Sequence, residues 1–121
     1  DSDAGAGAGA VSDDEELASQ VRGDRDVQQF AEMLLRGTAK NLEAIDALLG
    51  ECSTNWKVPR MSRVDRNILR MATFEIRYLA EIPPKVSMNE AIEIAKRYGT
   101  GDSSAFINGI LDRVASSRDE A

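Results

Sequence analysis

The chain has 121 residues, of which 42% are hydrophobic and 30% charged, a composition that suits one globular domain with a single core. With no histidine and one cysteine, the sequence excludes an internal disulfide, a His-based catalytic triad and ordinary zinc sites. The net charge of −6 argues against nucleic-acid binding, but it is unevenly spread: residues 1–51 carry 12 acidic and 4 basic residues, whereas residues 52–121 carry 9 acidic and 11 basic residues.

The N-terminal segment DSDAGAGAGAVSDDEE is small, acidic and low in complexity. It cannot bury enough apolar surface to offset its ordering entropy, so residues 1–16 are expected to be disordered. We predict a flexible acidic N-terminus over residues 1–20 and a helical domain over residues 21–121. No apolar run is long enough to cross a bilayer and no signal-peptide pattern is present, so a cytoplasmic protein without membrane contact is expected.

Helical periodicity begins in the segment 26–53, where apolar residues recur every three or four positions. Asp26 is expected to cap the start of this helix and Gly50 to end it. Gly37 lies in the middle of the pattern and predicts either a bend or a close contact with another helix.

The segment 62–80 predicts the most informative helix, with Ser62 as its N-cap and Asp65 at position N3 of a capping box, in place of the usual Glu. A helical wheel separates its apolar face from a narrow face of four arginines, namely Arg63, Arg66, Arg70 and Arg77. The two acids of the helix, Asp65 and Glu75, lie off this face, so the arginines are expected to be unpaired. Unpaired arginines in a row suit phosphate or acidic-peptide binding, while a solvated helix flank is the competing interpretation.

The two prolines of EIPPKV (81–86) predict an extended linker. Ser87 followed by Glu90 has the spacing of a capping box, so the next helix is expected to start at Ser87 and to run to Gly99.

The stretch GTGDSSAFINGIL (99–111) resembles a phosphate-binding loop, because two glycines precede a helix. A nucleotide-binding loop of this kind needs a preceding strand and a following lysine, and both are missing. We predict instead a helix stop, a short turn and a last helix capped by Asp102 or Ser103. Gly109 lies inside that helix at a cost of about 1 kcal/mol relative to alanine, so close backbone packing is expected to retain it.

Strand signals are absent from the sequence, which predicts an all-α bundle with four or five helices and no catalytic site. Residues 61–114 resemble the C-terminal part of the NusB family of bacterial transcription antitermination factors. The matching motifs occur in order: VDR-x-ILR, IPPKV, NEAIE-x-AK and DS-x-x-F-x-NG-x-LD. Segment 28–50 resembles the long helix that precedes them in that family. The resemblance implies an all-helical protein that is not an enzyme and uses no cofactor.

The resemblance also implies the partners. NusB proteins pair with the ribosomal protein NusE, bind boxA-type single-stranded RNA of ribosomal RNA operons, and help the transcription elongation complex to read through terminators. By position, Asp65 matches a family acid that contacts NusE, and Asp102 and Phe106 match residues near the RNA. Phe106 could stack on an unpaired base, while a core position for its ring is the alternative.

The N-terminus departs from the family pattern, because NusB proteins begin with an arginine-rich segment that leads into a first helix. Nothing in DSDAGAGAGAVSDDEELASQ matches it. We therefore expect an incomplete N-terminal subdomain, weaker RNA binding and an apolar groove that a second copy could fill as a homodimer. Two alternative functions stay open, namely an RNA-binding appendage of a ribosomal-RNA cytosine methyltransferase and a self-associating NusB paralogue.

Overall fold

The structure, a computed structural model, describes residues 13–54 and 57–120. These residues form five α-helices and one 3-10 helix, which are α1 (Asp13–Lys40), α2 (Leu42–Cys52), the 3-10 helix (Val58–Arg60), α3 (Arg63–Tyr78), α4 (Pro84–Tyr98) and α5 (Ser103–Glu120). The described residues contain no strand, so the predicted all-α fold class is confirmed.

Internal contacts divide the chain into two units, one that ends at Met33 and one that begins at Leu34. In the first unit, every described residue is exposed. The second unit contains the hydrophobic core, whose largest fully buried apolar side chains are Ile45, Leu49, Leu69, Ile76, Ile107, Leu111 and Val114. Burial of one such side chain contributes about 1.5–3 kcal/mol, so the core gives the second unit ample driving force to fold.

Helix α1 begins well before the predicted start at Asp26. Four acidic residues occupy its first turn, where the helix dipole stabilises negative charge: Asp13, Asp14, Glu15 and Glu16. The expected disorder is therefore wrong for residues 13–16, and for residues 1–12 it lies outside the described residues. The division of the chain at residue 20 stays a prediction.

The long helical segment breaks at Asn41 and not at Gly37. The backbone N–H and the side-chain Nδ2 of Asn41 both donate to the Gly37 carbonyl, at 3.1 and 2.8 Å, so the side chain competes with the helical ladder. Gly37 instead makes the predicted close helix contact, because a Cβ there would lie 2.1 Å from Cζ of Phe74. Gly50 does not end α2, which continues to Cys52.

Helix α3 starts as predicted. The Ser62 hydroxyl accepts a hydrogen bond from the Asp65 N–H at 3.1 Å, which confirms the N-cap. Leu69, Ala72 and Ile76 on the predicted apolar face are buried. The opposite face of the helix is therefore left to carry the arginines.

Helix α4 starts at Pro84, three residues before the predicted start at Ser87. Pro84 is the first helical residue, where the N–H that proline lacks has no partner within the helix. Pro83 is extended, with φ −61° and ψ 138°. The capping-box prediction is wrong because the second proline belongs to the helix, which leaves Ser87 buried inside it.

Candidate nucleic-acid interface

The four arginines of α3 lie in different surroundings. Arg63 and Arg77 are exposed, and Arg66 and Arg70 are half-buried. Arg77 Nη1 donates to the Ser117 hydroxyl at 3.1 Å, and Arg66 Nη1 donates to a backbone carbonyl of the 3-10 helix at 3.4 Å. The exposed positions of Arg63 and Arg77 leave their charges accessible to a ligand in solution.

Arg70 is held by an acid of the preceding helix. Its Nε donates to Oδ1 of Asp46 at 2.9 Å and its Nη2 donates to Oδ2 at 2.8 Å, a bidentate pair. Its Nη1 also donates to Oδ1 of Asn67 at 3.3 Å. The hydrogen bond with Asp46 raises the pKa of Arg70. The expectation that the arginines are unpaired is therefore wrong for Arg70, because its partner lies on α2.

Arg66 and Arg70 border the larger of two neighbouring clefts, which has a volume of about 750 Å³. Its walls come from α2, α3 and the segment between them, and Glu43 and Asp46 place acidic groups beside the two arginines. Grooves that bind the backbone of a single-stranded nucleic acid are positively charged along their length. This cleft, which carries both acidic and basic side chains, therefore differs in charge from such a groove.

Asp65 lies in the first turn of α3 and is half-buried. Its Oδ1 is shielded from solvent and has no hydrogen-bond partner among the described residues. A shielded acceptor without a donor is costly, so this oxygen is suited to a donor from outside the described chain.

The turn between α4 and α5 is built around Ser103. Its hydroxyl accepts a hydrogen bond from the Thr100 N–H at 2.9 Å, and a Cβ at Gly99 would lie 2.4 Å from that oxygen. Gly99 has φ −94°, so the close approach, and not the backbone angle, requires glycine there. The predicted stop, turn and new helix are confirmed, with Asp102 immediately before the first residue of α5.

Asp102 and Phe106 come together at the start of α5. Asp102 is exposed, and its carbonyl accepts the Phe106 N–H at 3.1 Å. The half-buried Phe106 ring packs against the core and also lines the smaller cleft, of about 250 Å³. The core position of Phe106 is therefore confirmed in part, and its stacking on an unpaired base stays a prediction. Ser53 and Thr54 line both clefts, so the arginine-bordered cleft and the Phe106 cleft lie side by side.

Gly109 lies in the same smaller cleft, one turn after Phe106. A Cβ at Gly109 would meet no described atom within 4 Å, apart from its neighbours along the helix. The expectation that close packing retains this glycine is therefore wrong. Open space beside a helical glycine leaves the backbone accessible at that point.

Arg113 was not predicted as a site residue, although it lines the same cleft. Its Nη1 donates to the carbonyl of Cys52, the last residue of α2. Carbonyls at a helix C-terminus lack intrahelical donors and favour a nearby cation. The one sequence signal for Arg113 is its spacing from Phe106, since positions seven apart share a helix face.

The described residues provide neither a metal-binding cluster nor a helix that could span a membrane. Within 13–54 and 57–120, no group of three or more Cys, Asp or Glu side chains is arranged to hold a metal ion. None of the helices over those ranges combines the length and the apolar character that crossing a membrane requires.

The sequence of this chain is similar to those of known transcription antitermination proteins. The chain is 57% identical over 89 residues to the transcription antitermination protein NusB of Syntrophotalea carbinolica, a match that covers 74% of this chain and 57% of that protein. It is 53% identical over 87 residues to the transcription antitermination protein NusB of Syntrophus aciditrophicus, covering 72% and 54%. The chain thus spans just over half the length of these two curated relatives.

A solved structure of T. maritima NusB superposes with a TM-score of 0.72 at 44% sequence identity, covering 79% of this chain and 71% of that one. The profile of the NusB family matches residues 7–116. Since this match includes nearly all of the described residues, the chain belongs to the NusB family.

Proposed function

We propose that the chain is a non-catalytic transcription antitermination factor that binds boxA-type single-stranded RNA together with the ribosomal protein NusE, within the transcription elongation complex. The observation that carries the proposal is the family match over residues 7–116, with relatives named transcription antitermination protein NusB. The geometry of the α3 and α5 surfaces supports the proposal in three respects, two for RNA and one for NusE.

The first support is the start of α5. The half-buried Phe106 ring packs against the core and also lines the smaller cleft. Single-stranded RNA is recognised largely by bases that stack on such aromatic rings. The exposed carboxylate of Asp102 lies beside this surface and repels phosphate, so we expect it to weaken RNA binding.

The second support is the distribution of positive charge on α3. Arg63 and Arg77 are exposed and can neutralise phosphates, although one N–H group of Arg77 donates to Ser117. Arg66 and Arg70 are half-buried, border the neighbouring cleft and are bonded within the protein. Because the two clefts share Ser53 and Thr54, one RNA strand could contact both. We expect Arg63 and Arg77 to contribute more phosphate contacts than Arg70.

The third support concerns NusE. The shielded Oδ1 of Asp65 lacks a donor among the described residues, and Asp65 is the position that matches the NusE-contacting acid of the family. We propose that NusE supplies that donor. Charge reversal by Asp65→Lys should then weaken the NusE complex strongly, as calorimetry would show. Asp65→Asn, which retains the shape, should weaken it less.

The proposal is tested by fluorescence anisotropy of labelled boxA RNA, with a scrambled RNA as control, with and without NusE. We expect preferential binding of boxA, strengthened by NusE, and an affinity that falls with salt. Arg63→Ala should reduce the magnitude of the salt slope by roughly 0.7, the value for one phosphate contact with a single strand. Phe106→Ala should cost about 1–3 kcal/mol with little change in slope. Equal binding of boxA and scrambled RNA in the presence of NusE would rule out the proposal.

A second candidate function, self-association, is favoured by one observation. In the first unit, Leu17, Val21, Val27 and Phe30 are 43–69% exposed. Exposed apolar side chains grouped along one segment are common at contacts between subunits. Sedimentation velocity over a range of concentrations tests this candidate, and a species that remains monomeric throughout would exclude it.

A further inference from the structure

We propose that the cleft beside Gly109 is a pocket for a single unpaired base of the bound RNA, with the bare backbone of α5 as its floor. The proposal rests on the proposed RNA-binding function and assigns to it residues that the sequence did not single out for RNA binding. These are Gly109, Arg113 and Thr54, which line the cleft together with Phe106.

No contact within the described residues accounts for Gly109. A glycine inside a helix is less favourable than alanine by about 1 kcal/mol, so each such glycine needs a reason. At Gly37 and Gly99 the reason is close contact, since a Cβ would lie 2.1 Å from the Phe74 ring or 2.4 Å from the Ser103 hydroxyl. At Gly109 a Cβ would meet no described atom within 4 Å. A glycine there allows a flat group from outside to approach the helix more closely than any other residue would.

The walls of the cleft suit the face and the edge of a base. Phe106 lies one turn before Gly109 and Arg113 about one turn after it, so both border the glycine on the same side of α5. The ring of Phe106 supplies an apolar surface that the core holds in place. The Thr54 hydroxyl, from the segment after α2, adds a group that can both donate and accept hydrogen bonds.

Arg113 is positioned before any ligand arrives. One of its N–H groups is bonded to the Cys52 carbonyl, which fixes the guanidinium between the end of α2 and α5. A guanidinium has five N–H donors, so others remain for a base edge. Since the cleft of about 250 Å³ has this one cation in its lining, a base fits it better than a string of phosphates does.

The test is Gly109→Ala, which separates folding from binding by the sign of its effects. The added methyl group should raise the melting temperature by a few degrees, because alanine favours the helix by about 1 kcal/mol. It should also fill the floor of the pocket and weaken binding of boxA RNA by about tenfold, within the range expected for loss of one stacked base. Gly23→Ala is the matched control, because Gly23 is also helical with no atom near its added Cβ and lines neither cleft. Its RNA affinity should equal that of the unsubstituted chain.

A second arm identifies the base. Single abasic substitutions are placed in turn along the boxA RNA. For the unsubstituted chain, one position should lose about tenfold in affinity, and Gly109→Ala should be insensitive to that same position, as a double-mutant cycle requires. The base pocket is overturned if the Gly109→Ala variant binds RNA as tightly as the unsubstituted chain does. It is also overturned if the substitution lowers the affinity for every abasic RNA by the same factor. In both cases the RNA-binding function stands. If the unsubstituted chain binds no RNA even with NusE, the proposed function and the pocket both fail.

Discussion

Glycine and phenylalanine come together in two regions of this molecule, with opposite results. On α1, the space beside Gly37 is filled by the Phe74 ring of α3, which is 6% exposed. On α5, Phe106 lies one turn before Gly109, and no described atom lies within 4 Å of the place where a Cβ of that glycine would be. The same two residue types therefore make a closed helix contact in one region and an accessible surface in the other. The two regions differ in the atoms that occupy the space where a Cβ of the glycine would lie. In the first region the residues stabilise the fold, and in the second they are available to a ligand.

The largest effect expected from this comparison is that of Phe74→Ala. Removal of the ring leaves a cavity between α1 and α3 and should lower the free energy of unfolding by about 3–5 kcal/mol. Phe106→Ala should cost clearly less, because part of its ring already faces a cleft. Urea unfolding of both variants measures the difference. Equal losses would mean that Phe106 is an ordinary core residue.

Gly37→Ala should have the next largest effect. Its Cβ would lie 2.1 Å from a buried ring that has little room to move, so overpacking should lower the free energy of unfolding by about 1–3 kcal/mol. Thermal unfolding should show a lower melting temperature, opposite in sign to that expected for Gly109→Ala. A stabilised Gly37→Ala variant would contradict the closed contact.

The arginines of α3 extend the comparison to charged residues. The Arg70 and Asp46 side chains are 21% and 29% exposed, and they form a closed pair. A double-mutant cycle with Arg70→Ala and Asp46→Ala should give a coupling of about 1–2 kcal/mol, above the 0.2–1 kcal/mol typical of fully exposed pairs. Arg63→Ala should leave stability nearly unchanged. A coupling energy near zero would mean that Asp46 does not hold Arg70, which would then be as available to phosphate as Arg63.

The smallest effect concerns Glu75, which follows Phe74 and is buried. Burial raises the pKa of its carboxyl group, the Ser87 hydroxyl opposes this, and the charge of Glu90 adds to it. Since the pKa is higher in the folded chain than in the unfolded chain, the stability that Glu75 contributes is present in full below the unfolded-state pKa and is lost as pH rises through the folded-state pKa.

Glu75→Gln removes this titration. The free energy of unfolding of the variant minus that of the parent chain should therefore be larger at pH 7 than at pH 4. Urea unfolding of both proteins at both pH values measures this difference. Glu32→Gln serves as the control, because Glu32 is an exposed carboxylate of α1. An advantage for Glu75→Gln that is the same at both pH values would contradict a buried, titrating carboxyl.

The parts of the structure that could be predicted are those held by short-range hydrogen bonds. The cap of α3 joins Ser62 to Asp65 and the turn before α5 joins Thr100 to Ser103, each three positions apart, so their residue types reveal them. The pairing of Arg70 with Asp46 spans 24 positions, and a helical wheel of α3 contains no information about α2.

Two other features were missed for related reasons. The prediction of an extended linker through residue 86 is wrong because proline also fits the first turn of a helix, which is where Pro84 lies. Whether Gly109 is packed or open depends on the distance between α5 and the segment after α2, which is a tertiary property. The residues of the candidate site could therefore be proposed from family motifs, but not their accessibility.

The hydrogen bond from Arg113 to the Cys52 carbonyl joins α5 to the end of α2, where the single thiol of the chain is buried. Cys52 is 7% exposed, and its burial raises the pKa of the thiol, with the charge of Glu51 acting in the same direction. Because the thiolate is the reactive species, the folded chain should resist alkylation and oxidation at this residue. Reaction then requires the end of α2 to separate locally from α5. The alkylation rate of Cys52 would therefore report how often that junction opens in the native protein, and a ligand that holds the two helices together would slow it.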